Sequence, residues 1–203
     1  MTFQRKITLG QTIYKFKMSD DMINKINKIY DKKSKDMIAH NEHLAGKIVE
    51  QKRIDNYLDD DIKQFFLQCF TMYLNEYSQM SYGIREVRLF NAWVNEMKEN
   101  EYNPLHIHRG TSQLGLSSVL CLKSLSDYGK EYSSEKSPVN GTLEFIANGG
   151  GTFYNTQYRT YLNPGDLFIF PANILHRSPP NISEEPKTIV SFNINFDKCQ
   201  WDV

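Results

Sequence analysis

The chain has 203 residues, enough to bury one good core and too few for two ordinary catalytic domains with a linker. Its 24 basic side chains balance 24 acidic ones, so nothing in the charge asks for nucleic acid or an anionic membrane as a partner. No apolar run approaches the ~20 residues of a membrane span, and the opening MTFQRKITLGQTIYKF lacks a signal peptide's apolar core and cleavage site, which places the protein in the cytoplasm.

Residues 1–80 read as a helical support region. Ser19 is an N-cap, Asp20 and Asp21 follow it in a first turn, and Met22, Ile23, Ile26, Ile29 and Tyr30 then recur at helical spacing. A second helix runs from Asp59 to about Tyr77 with the stripe Ile62, Phe65, Phe66, Cys69, Tyr73 and Tyr77. Residues 31–56 between them are polar and read as a loop with one short element at most. His40 and His43 fall there and, lacking a third ligand nearby in sequence, read as solvated side chains.

From Ser81 the texture changes to short β-like runs broken by Gly, Asn and Pro. The candidate strands are 84–97, 104–108, 114–122, 142–146, 152–154, 158–162, 166–170 and 187–196, the number of strands in a two-sheet jelly roll. The expected fold is therefore mainly β with N-terminal helices: a double-stranded β-helix core over residues 81–203, supported by two α-helices in one domain. Residues 124–140, long and polar, read as a mobile loop suited to closing the open end of a barrel.

Cys69, Cys121 and Cys199 are odd in number and make no CxxC pair, so they read as reduced thiols, and any metal site must use imidazole or carboxylate. The chain has five histidines. In the strand Pro104-Leu105-His106-Ile107-His108 both imidazoles project to one side, because side chains two apart share a face. His176 follows the turn, buried strand and second turn of NPGDLFIFPANILH. Three such ligands suit a facial arrangement that leaves metal positions open for reactants. The plainer alternative is a polar strand face with His176 serving a loop carbonyl.

The last strand has Val190, Phe192, Ile194 and Phe196 on a core face. Lys187, Ile189, Ser191, Asn193 and Asn195 share the other face, which is either solvated or, inside a barrel, suited to gripping the carboxylate of an acid.

The segments Trp93-Val94-Asn95, NPLHIHRGTSQLGLSSVLCLK, GTLEF, NPGDLFIFPANILHRSPPN and PKTIVSFN resemble the 2-oxoglutarate/Fe(II) oxygenases of bacteria and phages, distant relatives of prolyl 4-hydroxylases. The resemblance covers about residues 91–196. It implies Fe(II) held by His106, His108 and His176 at the open end of a double-stranded β-helix. It also implies 2-oxoglutarate chelating that iron, with its distal carboxylate on Lys187 and help from Ser191 or Asn193. The implied reaction converts 2-oxoglutarate and dioxygen to succinate and CO2 while a C–H bond of a substrate is hydroxylated.

Three positions depart from the pattern. His108 stands where the superfamily has aspartate, Cys121 where prolyl-hydroxylase relatives often have tyrosine, and Lys187-Thr188-Ile189 where many have Arg-x-Ser. A three-histidine set also resembles the centres of cupin dioxygenases that use no 2-oxoglutarate, and the fold serves non-catalytic binding modules as well. The primary substrate is open, and a homodimer is compatible with the sequence.

Overall fold

The computed structural model describes residues 2–8, 11–43, 45–78, 82–84, 88–108, 115–130, 138–147, 155–195 and 199–201. A hairpin of β1 (Thr2–Thr8) and β2 (Thr12–Lys17) opens the chain, followed by α1 (Asp20–Lys33), β3 (Glu50–Arg53) and α2 (Asp60–Ser78). Next come β4 (Tyr82–Ile84), β5 (Arg88–Met97), β6 (Asn103–His106), β7 (Gly115–Lys123), β8 (Leu143–Ile146) and β9 (Gln157–Thr160). β10 (Asp166–Pro171), β11 (Leu175–Ser178), β12 (Lys187–Asn195) and β13 (Cys199–Trp201) complete the order.

Among the described residues, a seven-stranded sheet runs β1-β2-β10-β7-β12-β5-β3 and a four-stranded sheet runs β6-β11-β8-β9, while β13 and β4 pair separately. All these pairings are antiparallel. Val119, Cys121, Phe168 and Phe170 of the large sheet pack against Leu143 and Phe145 of the small one. That makes the jelly-roll sandwich expected from the spacing of the short runs.

The outer face of the large sheet carries the helices. Ser19 caps α1 by accepting the backbone N–H of Met22, Asp20 and Asp21 occupy its first turn, and Lys32 and Lys33 its last, all favourable to the helix dipole. Ile23, Ile26 and Tyr30 of α1 and Ile62, Phe66, Phe70 and Tyr73 of α2 join Ala92, Val94, Val190, Phe192 and Ile194 in one buried cluster. Phe66 lies against Phe192 with ring centroids 3.6 Å apart. Burying a residue of this size contributes about 1.5–3 kcal/mol, and the helices thereby fix the back of the sheet whose front lines the site.

Three differences from expectation have physical causes. The N-terminal region is not only helical, because β1 and β2 extend one margin of the large sheet beside β10, and β3 closes the other beside β5. β3 reads Glu-Gln-Lys-Arg, with no apolar alternation, and owes its conformation to the ladder that pairs Gln51 with Asn95. His40 is buried at 8% exposure, its ring 5.3 Å from that of Trp93, rather than solvated.

The polar segment after β7 is docked where it is described: Leu125 is buried, Ser126 bonds Glu185, and Tyr128 packs edge-on to Tyr161. Gly141, at φ +61, allows that docking, since a Cβ there would meet the Leu125 side chain at 2.4 Å. Residues 131–137 and the run 152–154 lie outside the described residues.

Candidate metal centre

His106 ends β6, and His176 is its register partner on β11. β6 is an edge strand, so Pro104 costs the sheet no interior hydrogen bond. Just past β6, the backbone N–H of His108 donates to Ala172 O at 2.8 Å, tying the chain to the turn between β10 and β11. The result brings one nitrogen from each of His106, His108 and His176 within 4.8 Å of one another, and the Nε2 atoms of His106 and His108 lie 3.2 Å apart.

The opposite ring nitrogens are all engaged. His106 Nδ1 donates to Pro104 O at 2.8 Å and His176 Nδ1 to Ile174 O at 2.9 Å. A carbonyl can only accept, so both Nδ1 atoms carry the proton and both Nε2 atoms present lone pairs. His108 Nδ1 donates to Asn193 Oδ1 at 2.8 Å and also lies 2.8 Å from Ser117 Oγ. Burial holds all three imidazoles below their ordinary range, His108 down to about 4 and His176 well down, so they stay neutral donors.

This donor set fits a first-row divalent metal. Two nitrogens about 2.1 Å from one ion and near a right angle apart stand roughly 3 Å from each other, close to the observed spacing. Among the described residues, no cysteine or carboxylate joins the three histidines. A metal held by them therefore keeps open positions, the condition for catalysis rather than for a closed structural site.

The histidines border a cavity between the two sheets. Lys187, at the start of β12, lines the same cavity and is 2% exposed. Its ammonium donates to Gly141 O at 2.6 Å and to Ser178 Oγ, both neutral oxygens. Burial lowers its pKa to about 8, with no carboxylate among the described residues to offset the desolvation. A buried cation of this kind is a natural seat for a ligand carboxylate.

The second face of β12 thus fronts the cavity and not solvent, with Lys187, Ile189 and Ser191 on its wall. Asn193, on the same strand, accepts the His108 Nδ1 proton through its Oδ1. Cys121 is buried in the inter-sheet core. The sequence reading missed Ser117, which meets His108 from β7, and the buried pair Gln51 and Asn95, which lies beside Ser191. His176 follows the turn after β10, as the sequence reading has it, and sits on β11, a strand of four residues too short to announce itself.

Several comparisons bear on this geometry. The chain superposes on a prolyl-4-hydroxylase from Pseudomonas putida with a TM-score of 0.62 at 11% identity, covering 92% of this chain and 93% of that one. The viral collagen prolyl hydroxylase from Paramecium Bursaria Chlorella virus-1, as its 2-oxoglutarate complex, gives 0.53 at 13% identity over 90% and 94%. HygX from Streptomyces hygroscopicus, with nickel and 2-oxoglutarate bound, gives 0.57 at 9% identity over 91% and 83%. At these identities the likeness is one of fold. No curated protein matches the chain in sequence. Residues 91–193, just over half of the chain and the stretch that holds all three histidines and Lys187, match the family described as "Putative 2OG-Fe(II) oxygenase". The chain belongs to that family, and it is an oxygenase whose cofactor is Fe(II) and whose cosubstrate is 2-oxoglutarate.

Proposed function

We propose that His106, His108 and His176 hold the Fe(II) through their Nε2 atoms and that Lys187 takes the distal carboxylate of 2-oxoglutarate, in an enzyme that hydroxylates a C–H bond of its substrate. The observation that carries this reading is the pairing, in one cavity, of three convergent neutral imidazoles with a buried ammonium that lacks an anion. When bound, Fe(II) supplies the oxidising chemistry, dioxygen being consumed as 2-oxoglutarate is converted to succinate and CO2.

The chain's own part is orientation and desolvation. Pro104 O, Ile174 O and Asn193 Oδ1 fix the imidazole rings and their tautomers. Lys187, held by Gly141 O and Ser178, fixes the far end of the cosubstrate, with Ser191 on the wall between. Leu143, Val119 and Ile189 keep the cavity apolar beside these groups, which strengthens each charge contact within it. The buried ammonium, in the same cavity as the three histidines, favours this reading over a three-histidine dioxygenase without 2-oxoglutarate. We place the enzyme in the cytoplasm, consistent with its buried Cys69 and Cys121, neither of which is in a disulfide.

The test is incubation with Fe(II), ascorbate and 2-oxoglutarate. Succinate release, lost in His176→Ala and reduced in Lys187→Met, is the expected result. Metal-loaded protein that neither binds nor consumes 2-oxoglutarate would sink the reading.

A further inference from the structure

Behind the cavity wall runs a buried chain of three polar side chains. Gln51 on β3, Asn95 on β5 and Ser191 on β12 are 3%, 3% and 4% exposed. Gln51 Nε2 donates to Asn95 Oδ1 at 2.8 Å, and Asn95 Nδ2 donates to Ser191 Oγ at 3.4 Å. Asn95 and Ser191 line the cavity; Gln51 does not.

The chain has a polarity. An amide NH2 group can only donate, so the bond from Gln51 commits the Asn95 oxygen to β3 and turns the Asn95 nitrogen toward Ser191. Ser191 Oγ is thereby made an acceptor, and its own O–H is left to donate elsewhere. Among the described residues nothing accepts it, and the free side of Ser191 is the cavity. A buried hydroxyl proton without an acceptor is costly, which a ligand oxygen would relieve.

The position of Ser191 says which oxygen. Lys187, Ile189, Ser191 and Asn193 share one face of β12, with Lys187 at the far end and Asn193 against His108. Ser191 stands two residues, or roughly 7 Å, from Asn193 and twice that from Lys187. It therefore faces the metal end of the cavity.

Building on the proposed function, we infer that Gln51 and Asn95 are positioning residues that orient the Ser191 hydroxyl as a hydrogen-bond donor to the 2-oxo acid end of 2-oxoglutarate. Ser191 is the group that touches the cosubstrate; the other two act through it. The N-terminal strand β3, outside the matched family segment, thus contributes to cosubstrate selection.

Anaerobic titration of the Fe(II)-loaded protein with 2-oxoglutarate, followed by the visible charge-transfer band of the chelate, tests this without turnover. Ser191→Ala should weaken binding about tenfold and move the band maximum, because a hydrogen bond to the chelating end is lost. Ser191→Thr, which keeps the hydroxyl, should restore both. Lys187→Met should weaken binding and leave the maximum in place. Gln51→Met should weaken binding in the parent and add little in the Ser191→Ala background, since residues acting through one contact are not additive. If Gln51→Met fails to fold, Gln51→Glu replaces it: a carboxylate there accepts from Asn95, turns the amide over and draws the Ser191 proton back, with the same non-additivity. A Ser191→Ala protein with parental affinity and band, or full additivity of the Gln51 change, overturns the inference alone. Absence of the band in the parent overturns the proposed function with it.

Discussion

His106 Nε2 faces His108 Nε2 across 3.2 Å, each ring's Nδ1 being engaged elsewhere. Two lone pairs at this distance repel unless a proton or a metal lies between them. Burial disfavours the proton, lowering both pKa values, so the protein is built to gain stability from a metal. Mn(II) at roughly 100 times its Kd should add about 2.7 kcal/mol to the unfolding free energy, seen as a rise in Tm. In His176→Ala the metal-induced rise should be largely lost, whatever that change does to the metal-free protein. An undiminished rise would show that the metal binds elsewhere.

Lys187 makes cosubstrate capture depend on pH. Its folded pKa is depressed from 10.5 to about 8 by burial, so the ammonium is fully present below pH 8 and is lost above it. Above that point kcat/KM for 2-oxoglutarate should fall about tenfold per pH unit. Lys187→Arg, charged throughout, should carry its plateau higher. The sign for stability is the opposite. Below pH 8 the burial cost is felt in full, and between pH 8 and 10.5 the unfolded chain binds more protons than the folded one, so stability from this residue rises with pH. A kcat/KM profile flat to pH 10 in the parent would remove Lys187 from the anchor role.

What the sequence made legible follows from where its periodicity was strong. The α1 cap and acidic first turn, the α2 stripe and the alternation of β12 each express burial on one face, and each corresponds to an observed element. His106 and His108 do converge, as two-residue alternation gives, although β6 ends at His106 and His108 lies just past the strand expected over 104–108. β3 and β11 were not legible, because four residues give too little pattern and their conformation comes from partner strands. The pairing of Gln51 with Asn95 escaped notice, although Asn95 stands in the segments that carry the resemblance, because a buried amide pair across two strands leaves no local trace: its reason for being is a contact 44 positions apart in sequence. Asn193 was placed on the correct face, but a face does not say which neighbour a side chain will meet.

The helical layer should bear on stability and leave the site's chemistry alone. Phe66 is fully buried and packs on Phe192, which lies on the face of β12 turned away from Lys187 and Ser191. Phe66→Ala should cost about 3–5 kcal/mol through lost transfer energy and the cavity left behind. Denaturant unfolding measures the loss, and Mn(II) affinity at a temperature where the variant is folded should match the parent. A parallel fall in metal affinity would mean that the helices tune the centre as well as supporting it.

Asn193 separates two roles that a residue on this wall can play. If its Oδ1 steadies His108, then Asn193→Leu frees the ring to turn about its Cβ–Cγ bond, with Ser117 Oγ as the remaining partner of Nδ1. Partners of this kind are typically worth about 10–100-fold in metal affinity. Mn(II) binding should weaken by that order, while the affinity of the metal-saturated variant for 2-oxoglutarate stays near the parent value, because Lys187 and Ser191 are untouched. The reverse pattern, with metal affinity kept and cosubstrate affinity lost, would return Asn193 to the cosubstrate contact that the strand alternation alone had suggested.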